Sequence, residues 1–400
     1  NYNLKYGGAN SSGAFSTNDN VIDKRRVAVT FDPVSKDYDS TATNSNIAPK
    51  VSANDAAVLR LDSAGNVSGT NITNLTGVTS QYGTLSGGMF TPDPNAGTKT
   101  VRYNGVDAAM GTTFGANNYD FVTSDGTGTI NKANINAGNV VFGAEDASKT
   151  YDGTRTVKYG GSSANNEVRR YINRIGVTLN GNWVNLQNDV TMDSALYSNP
   201  NATNGTNDTV TYRFHLNNDN INISGNNNFE KQAHGIIDRR VLNLDLAEKS
   251  GIDKIYDATR DVHNTATRHH DAFVDHDALG NVTYAAGTTD DNKLVRANGN
   301  PDATIAVMAS YADKNVARSG GNVTAQNITY TAKIAGDAGK NYTLKSGTTE
   351  RNAEVGIDLT ATGTISPRAL TFTFGDVSKP YDTTAVNNTK TINNVAAADS

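Results

Sequence analysis

The chain has 400 residues with a formal net charge of −5, and at about 100 to 200 residues per domain this length predicts two to four domains. Asn (52) and Thr (48) make up a quarter of the sequence, which disfavours helices and suits strands joined by many turns. The absence of cysteine excludes disulfides, thiolate nucleophiles and zinc-thiolate sites, the charge offers no basic field for nucleic acid, and no apolar run reaches the ~20 residues of a membrane span.

A six-residue word, K-x-Y-D-x-T, occurs four times along the chain. Its copies are Lys36-Asp-Tyr38-Asp39-Ser-Thr41, Lys149-Thr-Tyr151-Asp152-Gly-Thr154, Lys254-Ile-Tyr256-Asp257-Ala-Thr259 and Lys379-Pro-Tyr381-Asp382-Thr-Thr384. Successive tyrosines are 113, 105 and 125 residues apart, which is the size of a small domain and too long for one coil of a solenoid. The word therefore predicts repeated domains.

Other words keep the same order around each copy. An Ile lies five residues before an aliphatic residue that opens an alternating strand, at Ile22, Ile130, Ile236 and Ile365. A middle aromatic (Phe90, Tyr197, Tyr311) follows, and an Asn-aromatic pair closes each repeat (Asn1-Tyr2, Asn118-Tyr119, Asn228-Phe229, Asn341-Tyr342). We expect Tyr38, Tyr151 and Tyr256 to occupy equivalent buried positions, and likewise the three middle aromatics.

These words divide the chain into a sequence of repeats. The predicted parts are the tail of a preceding repeat (1–21), three repeats (22–129, 130–235 and 236–364) and the start of a further repeat (365–400), which we call the first to fourth repeats from residue 22 onward. The joints lack linker-like composition. The expected fold is all-β, a tandem array of small antiparallel domains, sandwich-like or β-grasp-like, in an elongated rod, with a right-handed β-helix as the rival. Helical turns are expected only at Asn54–Leu61 and Ala312–Arg318.

The words resemble the YDG and MBG repeat modules of large bacterial surface adhesins of the filamentous-haemagglutinin-like, two-partner-secreted kind. The resemblance is carried by Lys149-Thr-Tyr-Asp-Gly-Thr154, Tyr311-Ala-Asp-Lys-Asn-Val316 and Gly339-Lys-Asn-Tyr-Thr-Leu344. The glycine of the word is replaced by Ser40, Ala258 or Thr383 in the other copies, and Phe229 stands for the closing Tyr. The resemblance implies export to the cell surface and stacking in a stalk or fibre.

Candidate sites are few. The Lys, Tyr and Asp of each word are interpreted as structural, a ring in a core and polar groups in a turn, with a ligand platform or a Lys–Asn crosslink as alternatives. His269, His270, Asp271, Asp275 and His276 crowd in one loop and are weak candidates for a metal. Asp93-Pro-Asn95-Ala-Gly97 resembles part of a calcium loop but lacks the EF-hand spacing. We therefore expect no cofactor. Calcium binding stays open as an alternative, without a specific site.

No catalytic motif is present, and we expect the protein not to be an enzyme. The favoured hypothesis is a stalk or fibre segment of an exported bacterial adhesin, extracellular or on the cell surface, whose partners are neighbouring repeats of one long chain. The alternatives are an adhesin module that binds a glycan or host protein, and a filament that assembles from copies of itself. No partner is expected among nucleic acids, and no segment is expected to cross a membrane.

Overall fold

The structure is a computed structural model. It describes residues 5–6, 9–10, 24–44, 49–50, 59–61, 67–69, 77–114, 119–262, 271–274, 281–374, 378–386 and 392–397. The chain forms two compact units, an N-terminal unit (1–142, 174–191 and 215–229) and a C-terminal unit (143–173, 192–214 and 230–400). The predicted repeat boundaries stay a prediction.

The all-β prediction is confirmed. Strands dominate both units, and the α-helices in the part of the chain that the structure describes are Val106–Phe114 and Asn165–Val168, with 3-10 turns at Ala137–Asn139, Arg169–Tyr171, Asp290–Asn292 and Asp337–Asn341. The helical turn expected at Ala312–Arg318 was wrong, because 312–317 are irregular and Arg318 begins the strand Arg318–Ser319. Of Asn54–Leu61, Leu59–Leu61 is a strand and 54–58 lie outside the described residues. None of the described helices is long and apolar enough to cross a membrane.

One pairing recurs in three repeats and joins residues far apart in the sequence. The first strand of a repeat, the opening strand, pairs in parallel with a strand near its end, the closing strand. The pairs are Arg25–Phe31 with Tyr119–Thr123, Ala133–Ile135 with Ile221–Ile223, and Arg240–Leu246 with Tyr342–Ser346. The sheets are thus mixed where purely antiparallel ones were expected, because strands separated by about 90 residues are joined by a crossover and not by a hairpin.

A second parallel pairing places the K-x-Y-D-x-T word. The strand that leads into the word pairs with a strand at the predicted boundary with the next repeat, which we call the final strand. These pairs are Val34–Asp37 with Gly126–Asn131, Ala147–Thr150 with Asn228–Asp238, and Lys254–Ile255 with Ile365–Ser366. A single residue, Lys132 or Arg239, separates the final strand of the first or second repeat from the next opening strand. Each word therefore lies beside the start of the next repeat.

The N-terminal unit contains the first repeat and the opening and closing strands of the second. Its largest sheet has the order Met89–Pro92, Thr79–Ser86, Gly97–Asn104, Gly126–Asn131 and Val34–Asp37, with Thr43–Asn44 beside Thr79–Ser86. Pro49–Lys50 pairs with the opening strand, and Val141–Ala144, Ile172–Leu179 and Asn182–Asn185 form another sheet. Two-stranded pairs are Lys5–Tyr6 with Ala9–Asn10 and Leu59–Leu61 with Val67–Gly69. Buried Tyr82, Val101 and Met110 form the core.

Most residues of the remaining strands belong to the C-terminal unit. A four-stranded sheet has the order Ala147–Thr150, Asn228–Asp238, Asp208–Leu216 and Val190–Tyr197. In the third repeat, Val282–Tyr284, the opening strand, the closing strand and Thr349–Asn352 form one sheet, and Asp271–Val274, Ile305–Tyr311, Gln326–Lys333 and Ile357–Gly363 form another. Shorter pairs are Arg296–Ala297 with Asn300–Pro301, Arg318–Ser319 with Asn322–Val323, and Leu370–Phe374 with Ile392–Ala397.

Strand register shows that two residues or pairs were matched wrongly between repeats in the sequence analysis. The closing pair of the second repeat is Asn220-Ile221, because Ile221 faces Ala133 as Tyr342 faces Arg240, whereas Phe229 lies in the final strand. The isoleucine that corresponds to Ile130 and Ile365 is Ile237. All three of these isoleucines are buried.

The middle aromatic of the first repeat is Tyr82, where Phe90 was expected. Its backbone N–H donates to the carbonyl four residues after the motif tyrosine, as those of Tyr197 and Tyr311 do. Phe90 lies in the returning arm of a hairpin inserted after Tyr82 and is half-buried. The inserted hairpin separates Tyr82 from the Asp93-Pro-Asn95 turn that follows it.

Candidate functional site: the K-x-Y-D-x-T loops

All four words fold into the same hydrogen-bonded loop around the lysine ammonium. The Nζ atom donates to the aspartate Oδ1 at 2.6, 2.6, 2.8 and 2.7 Å in chain order. It also donates to the carbonyl oxygen of the threonine at 2.6 to 2.9 Å and lies 2.9 to 3.1 Å from its hydroxyl. The threonine N–H and hydroxyl both donate to the same Oδ1. The word thus encodes a closed polar network.

The residue between the aspartate and the threonine has a left-handed backbone in every copy. Its φ is 65° at Ser40, 74° at Gly153, 69° at Ala258 and 65° at Thr383. This conformation lets the threonine N–H turn back onto the aspartate, and it favours glycine because any Cβ crowds the neighbouring carbonyl. The substitutions at this position therefore keep the loop but introduce backbone strain.

We expect glycine at this position to stabilise the loop of the third repeat. Ala258→Gly removes the steric penalty of a left-handed alanine and should stabilise the loop by about 1 kcal/mol, whereas Gly153→Ala should destabilise its own loop by a similar amount. A Cβ at Gly153 would also meet Val295 Cγ1 at 3.1 Å. Hydrogen exchange at the Thr259 and Thr154 amides measures both effects.

The control for this prediction is Ala309→Gly, in the extended strand Ile305–Tyr311. Glycine in a strand interior is destabilising by about 0.5 to 1 kcal/mol, so its effect should have the opposite sign. If Ala258→Gly accelerates exchange at Thr259 as Ala309→Gly does around its own strand, left-handed strain is not what distinguishes the loop.

The lysines differ in burial although their bonds are alike. The Lys149 and Lys254 side chains are 2% and 4% exposed, the Lys36 side chain is 13% exposed and the Lys379 side chain 33%. In the first three repeats the ammonium also lies 5.3 to 5.9 Å from the ring centre of the middle aromatic, Tyr82, Tyr197 or Tyr311. An aromatic face attracts a cation, so the core ring and the loop stabilise each other.

In the second loop a second ammonium, that of Lys158, pairs with the aspartate. Burial opposes ionisation of Asp152, but hydrogen bonds from Lys149, Lys158 and Thr154 lower its pKa to about 2. Burial in turn lowers the pKa of Lys149, because desolvation penalises the ammonium. In this ion pair Asp152 Oδ1 is bonded within the loop, whereas Asp152 Oδ2 pairs with Lys158 outside the word.

A cleft of about 610 Å³ lies beside this loop and is lined by four cationic side chains. Lys158 pairs with Asp152 Oδ2 at 2.8 Å, and Lys149 bonds within the loop. Arg239 donates from Nε to Asn204 Oδ1 at 2.7 Å, and Arg240 donates from Nε to the Lys293 carbonyl at 2.6 Å. Each cation bonds to at least one protein acceptor, but Arg239 Nη1 is buried without a hydrogen-bond partner in the described part of the chain.

The motif tyrosine of the second repeat packs on the third repeat. The ring of Tyr151 lies edge-on to the closing-strand Tyr342, with centroids 5.4 Å apart. The hydroxyls of both tyrosines donate to the two carboxylate oxygens of Asp302, Tyr151 at 2.6 Å. Burial and this carboxylate raise the pKa of both hydroxyls. Tyr151 is thus a junction residue and not the centre of its own core.

The tyrosines are buried to different degrees along the chain. Tyr38 and Tyr151 are 8% and 5% exposed, as expected, whereas Tyr256 is half-buried and Tyr381 is 91% exposed. Equivalent burial was therefore wrong for Tyr256. The physical reason is that residues of the following repeat cover the ring, so its burial depends on that repeat.

An asparagine side chain forms hydrogen bonds across two of the junctions between neighbouring repeats. Asn341, which precedes the closing strand of the third repeat and is 4% exposed, accepts from the Ala202 N–H at 2.8 Å and donates to Asn201 Oδ1 at 3.1 Å. In the N-terminal unit, Asn220 accepts from the Ala96 N–H at 2.6 Å and donates to Asn95 Oδ1 at 3.0 Å. The turn that receives the asparagine we call the asparagine seat.

The metal candidates are not tested by the structure. His269, His270, Asp275 and His276 lie outside the described residues, and Asp271 begins the strand Asp271–Val274, of whose side chains nothing is described. Asp93, the calcium candidate, bonds to Lys99 and to Asn95, and these bonds lower its pKa. Among the described residues no group of three His, Asp or Glu side chains is arranged to hold a metal ion.

Comparison with known proteins identifies no family. No family model matches the chain, and no curated protein matches it. Among solved structures, the extracellular domain of protocadherin gammaB4 is similar over 91% of this chain and 53% of that chain, with 9% sequence identity and a TM-score of 0.21. The chain therefore spans about half the length of that protein.

Proposed function

We propose that the protein is a structural segment of an exported bacterial adhesin or surface filament, built from tandem YDG-like repeats, in which length and stacking are the output. The observation that carries this proposal is the junction. The motif tyrosine of one repeat is buried by the closing strand of the next, and an asparagine bonds the two. Such contacts link neighbours along a chain, as expected of a repeat array.

The polar residues of the motif support the same proposal. The lysine, aspartate and threonine bond to one another in all four loops, so their polar atoms act within the fold. A site for a substrate or ligand would leave such groups without protein partners. We accordingly propose a non-enzymatic role outside the cell, with neighbouring repeats as the main partners.

Small-angle X-ray scattering of the 400-residue chain tests the proposal. A single globule of 400 residues has a radius of gyration of about 21 Å, whereas three and a half domains in line would reach ~120 to 150 Å with a radius of gyration of about 40 Å. We expect the larger value, independent of protein concentration. A radius near that of the globule would contradict the stalk proposal.

A further inference from the structure

The asparagine seat has the same construction in three repeats. It is a short turn in which an Asp or Asn side chain accepts from the backbone N–H two residues later, within Asp93-Pro-Asn95, Asn199-Pro-Asn201 and Asp313-Lys-Asn315. The turn directs an asparagine Oδ1 and the next backbone N–H toward the incoming asparagine. Two of these seats are occupied, by Asn220 and by Asn341.

The third seat adjoins an open cleft. Asn315 and Val316 line a cavity of about 360 Å³ together with Tyr256, Pro367, Arg368 and Leu370. Asn315 bonds to Asp313 at 3.0 and 3.1 Å, which matches the 3.0 and 2.9 Å at the occupied Asn95 seat. The seat is therefore formed before any occupant arrives.

The opening strand beside this cleft is exposed where its counterparts are buried. Aligned through the final strand, Leu370 corresponds to Leu242 and Phe372 to Leu244. Leu370 and Phe372 are 55% and 50% exposed, whereas Leu242 and Leu244 are 0% and 1% exposed. In the third repeat a closing strand pairs in parallel with the opening strand, whereas among the described residues Leu370–Phe374 pairs only with Ile392–Ala397.

The occupants of this position share a sequence pattern. The segments at the start of the closing strands are Asn118-Tyr-Asp-Phe121, Asn220-Ile-Asn-Ile223 and Asn341-Tyr-Thr-Leu344. The asparagine fits the seat, the next residue faces the motif tyrosine in the second junction, and the third and fourth continue the parallel pairing. The pattern is thus Asn, then Tyr or Ile, any residue, and a large apolar residue.

We propose that the surface formed by Tyr256, Asn315, Val316, Pro367 and Leu370 is an acceptor site for an extended strand of this pattern, the closing strand of the repeat that Ile365 opens. Seating its asparagine on Asn315 and Val316 would restore the two hydrogen bonds of the upstream junctions. Its apolar residues would cover Leu370 and Phe372, and its second residue would meet the Tyr256 ring. This proposal deepens the stalk proposal and rests on it only for the origin of the strand.

Binding of a peptide with residues 339–346 of this sequence, labelled at its N-terminus, to the 400-residue chain tests the site by fluorescence anisotropy. We expect saturable binding with a dissociation constant of about 100 µM, as for a short strand without a tether. The Asn341→Ala peptide should bind at least tenfold more weakly, because both seat bonds are lost. A Lys340→Ala peptide is the matched control and should bind as well as the parent, since Lys340 lies outside the pattern.

Variants of the chain locate the bound peptide. Asn315→Ala should weaken binding at least tenfold, whereas Asn95→Ala should leave binding unchanged, because Asn220 already occupies that seat. Peptide binding should slow hydrogen exchange at the amides of Leu370–Phe374, as strand addition requires. Binding that is absent at 1 mM, or that ignores Asn315→Ala, would overturn the proposal.

Sedimentation velocity separates the two sources of such a strand. If the chain alone self-associates and Asn315→Ala abolishes this, the occupant is a second copy, and the assignment to the same repeat is wrong. The readout is binding and not shape. If the chain is rod-shaped but binds no peptide, the acceptor-site proposal is wrong and the stalk proposal is unaffected. If the chain is compact but binds the peptide, only the stalk proposal is wrong.

Discussion

Lys149→Met should destabilise the second K-x-Y-D-x-T loop by about 3 kcal/mol, the largest effect that we expect from a single substitution. Methionine keeps the volume but removes an ammonium whose side chain is 2% exposed; Asp152 Oδ1 loses one of its three donors, and the Thr154 carbonyl loses its bond from Lys149. Breaking a buried ion pair by removing one partner is strongly destabilising. Hydrogen exchange of the Thr154 amide should accelerate about a hundredfold.

Lys379→Met provides the matched control. The fourth loop makes the same bonds, but the Lys379 side chain is 33% exposed and its aspartate 54% exposed, so water replaces the lost partner. Its loop exchange should change several times less than that of the second loop. Equal effects of the two substitutions would show that burial does not govern the strength of this network.

Asn341→Ala should weaken the junction between the second and third repeats by about 2 kcal/mol. The substitution leaves the buried Ala202 N–H without its acceptor and Asn201 Oδ1 without its donor. The effect should appear as faster hydrogen exchange on both sides of the junction, at Ala202 and in the closing strand Tyr342–Ser346.

Asn201→Ala and Asn315→Ala are a matched pair for this prediction, since they remove the same seat residue from consecutive repeats. Asn201→Ala should destabilise its junction because the buried Asn341 amide loses its acceptor. The double variant with Asn341→Ala should lose less stability than the sum of the two single losses. Asn315→Ala should have little effect on the chain alone. Additive effects of Asn201→Ala and Asn341→Ala would contradict a direct bond between these side chains.

Local order could be predicted from the sequence, whereas long-range pairing could not. The strand Asp208–Leu216 shows this, because Val210, Tyr212, Phe214 and Leu216 alternate with polar residues and a period of two indicates burial on one face of a strand. The word also marked every lysine-centred loop. The role of Tyr151 was misassigned because recurrence shows that a ring is needed but not which repeat covers it.

The misplaced equivalents have a common cause. Phe90 was taken as the middle aromatic because it precedes the Asn95 turn, and Asn228-Phe229 as the closing pair because Phe229 is aromatic; both assignments rested on residue type and local order. The structure shows that position is set by backbone pairing, which tolerates Ile221 where Tyr342 stands and admits a whole hairpin after Tyr82. Glycine at Gly153 indicated a left-handed backbone at this position of the loop. The other copies have Ser40, Ala258 and Thr383 there, so the sequence did not show that the conformation is shared.

The offset between a repeat and the neighbours it packs on has a consequence for how such a chain changes length. The second and third repeats each carry both a seat and the asparagine-led strand that occupies the seat of the predecessor. Duplication or loss of one whole repeat by recombination therefore leaves each remaining junction with both halves, wherever the breakpoints fall, provided that they fall at the same place in two repeats. Selection can thus vary the number of repeats without first remodelling any interface.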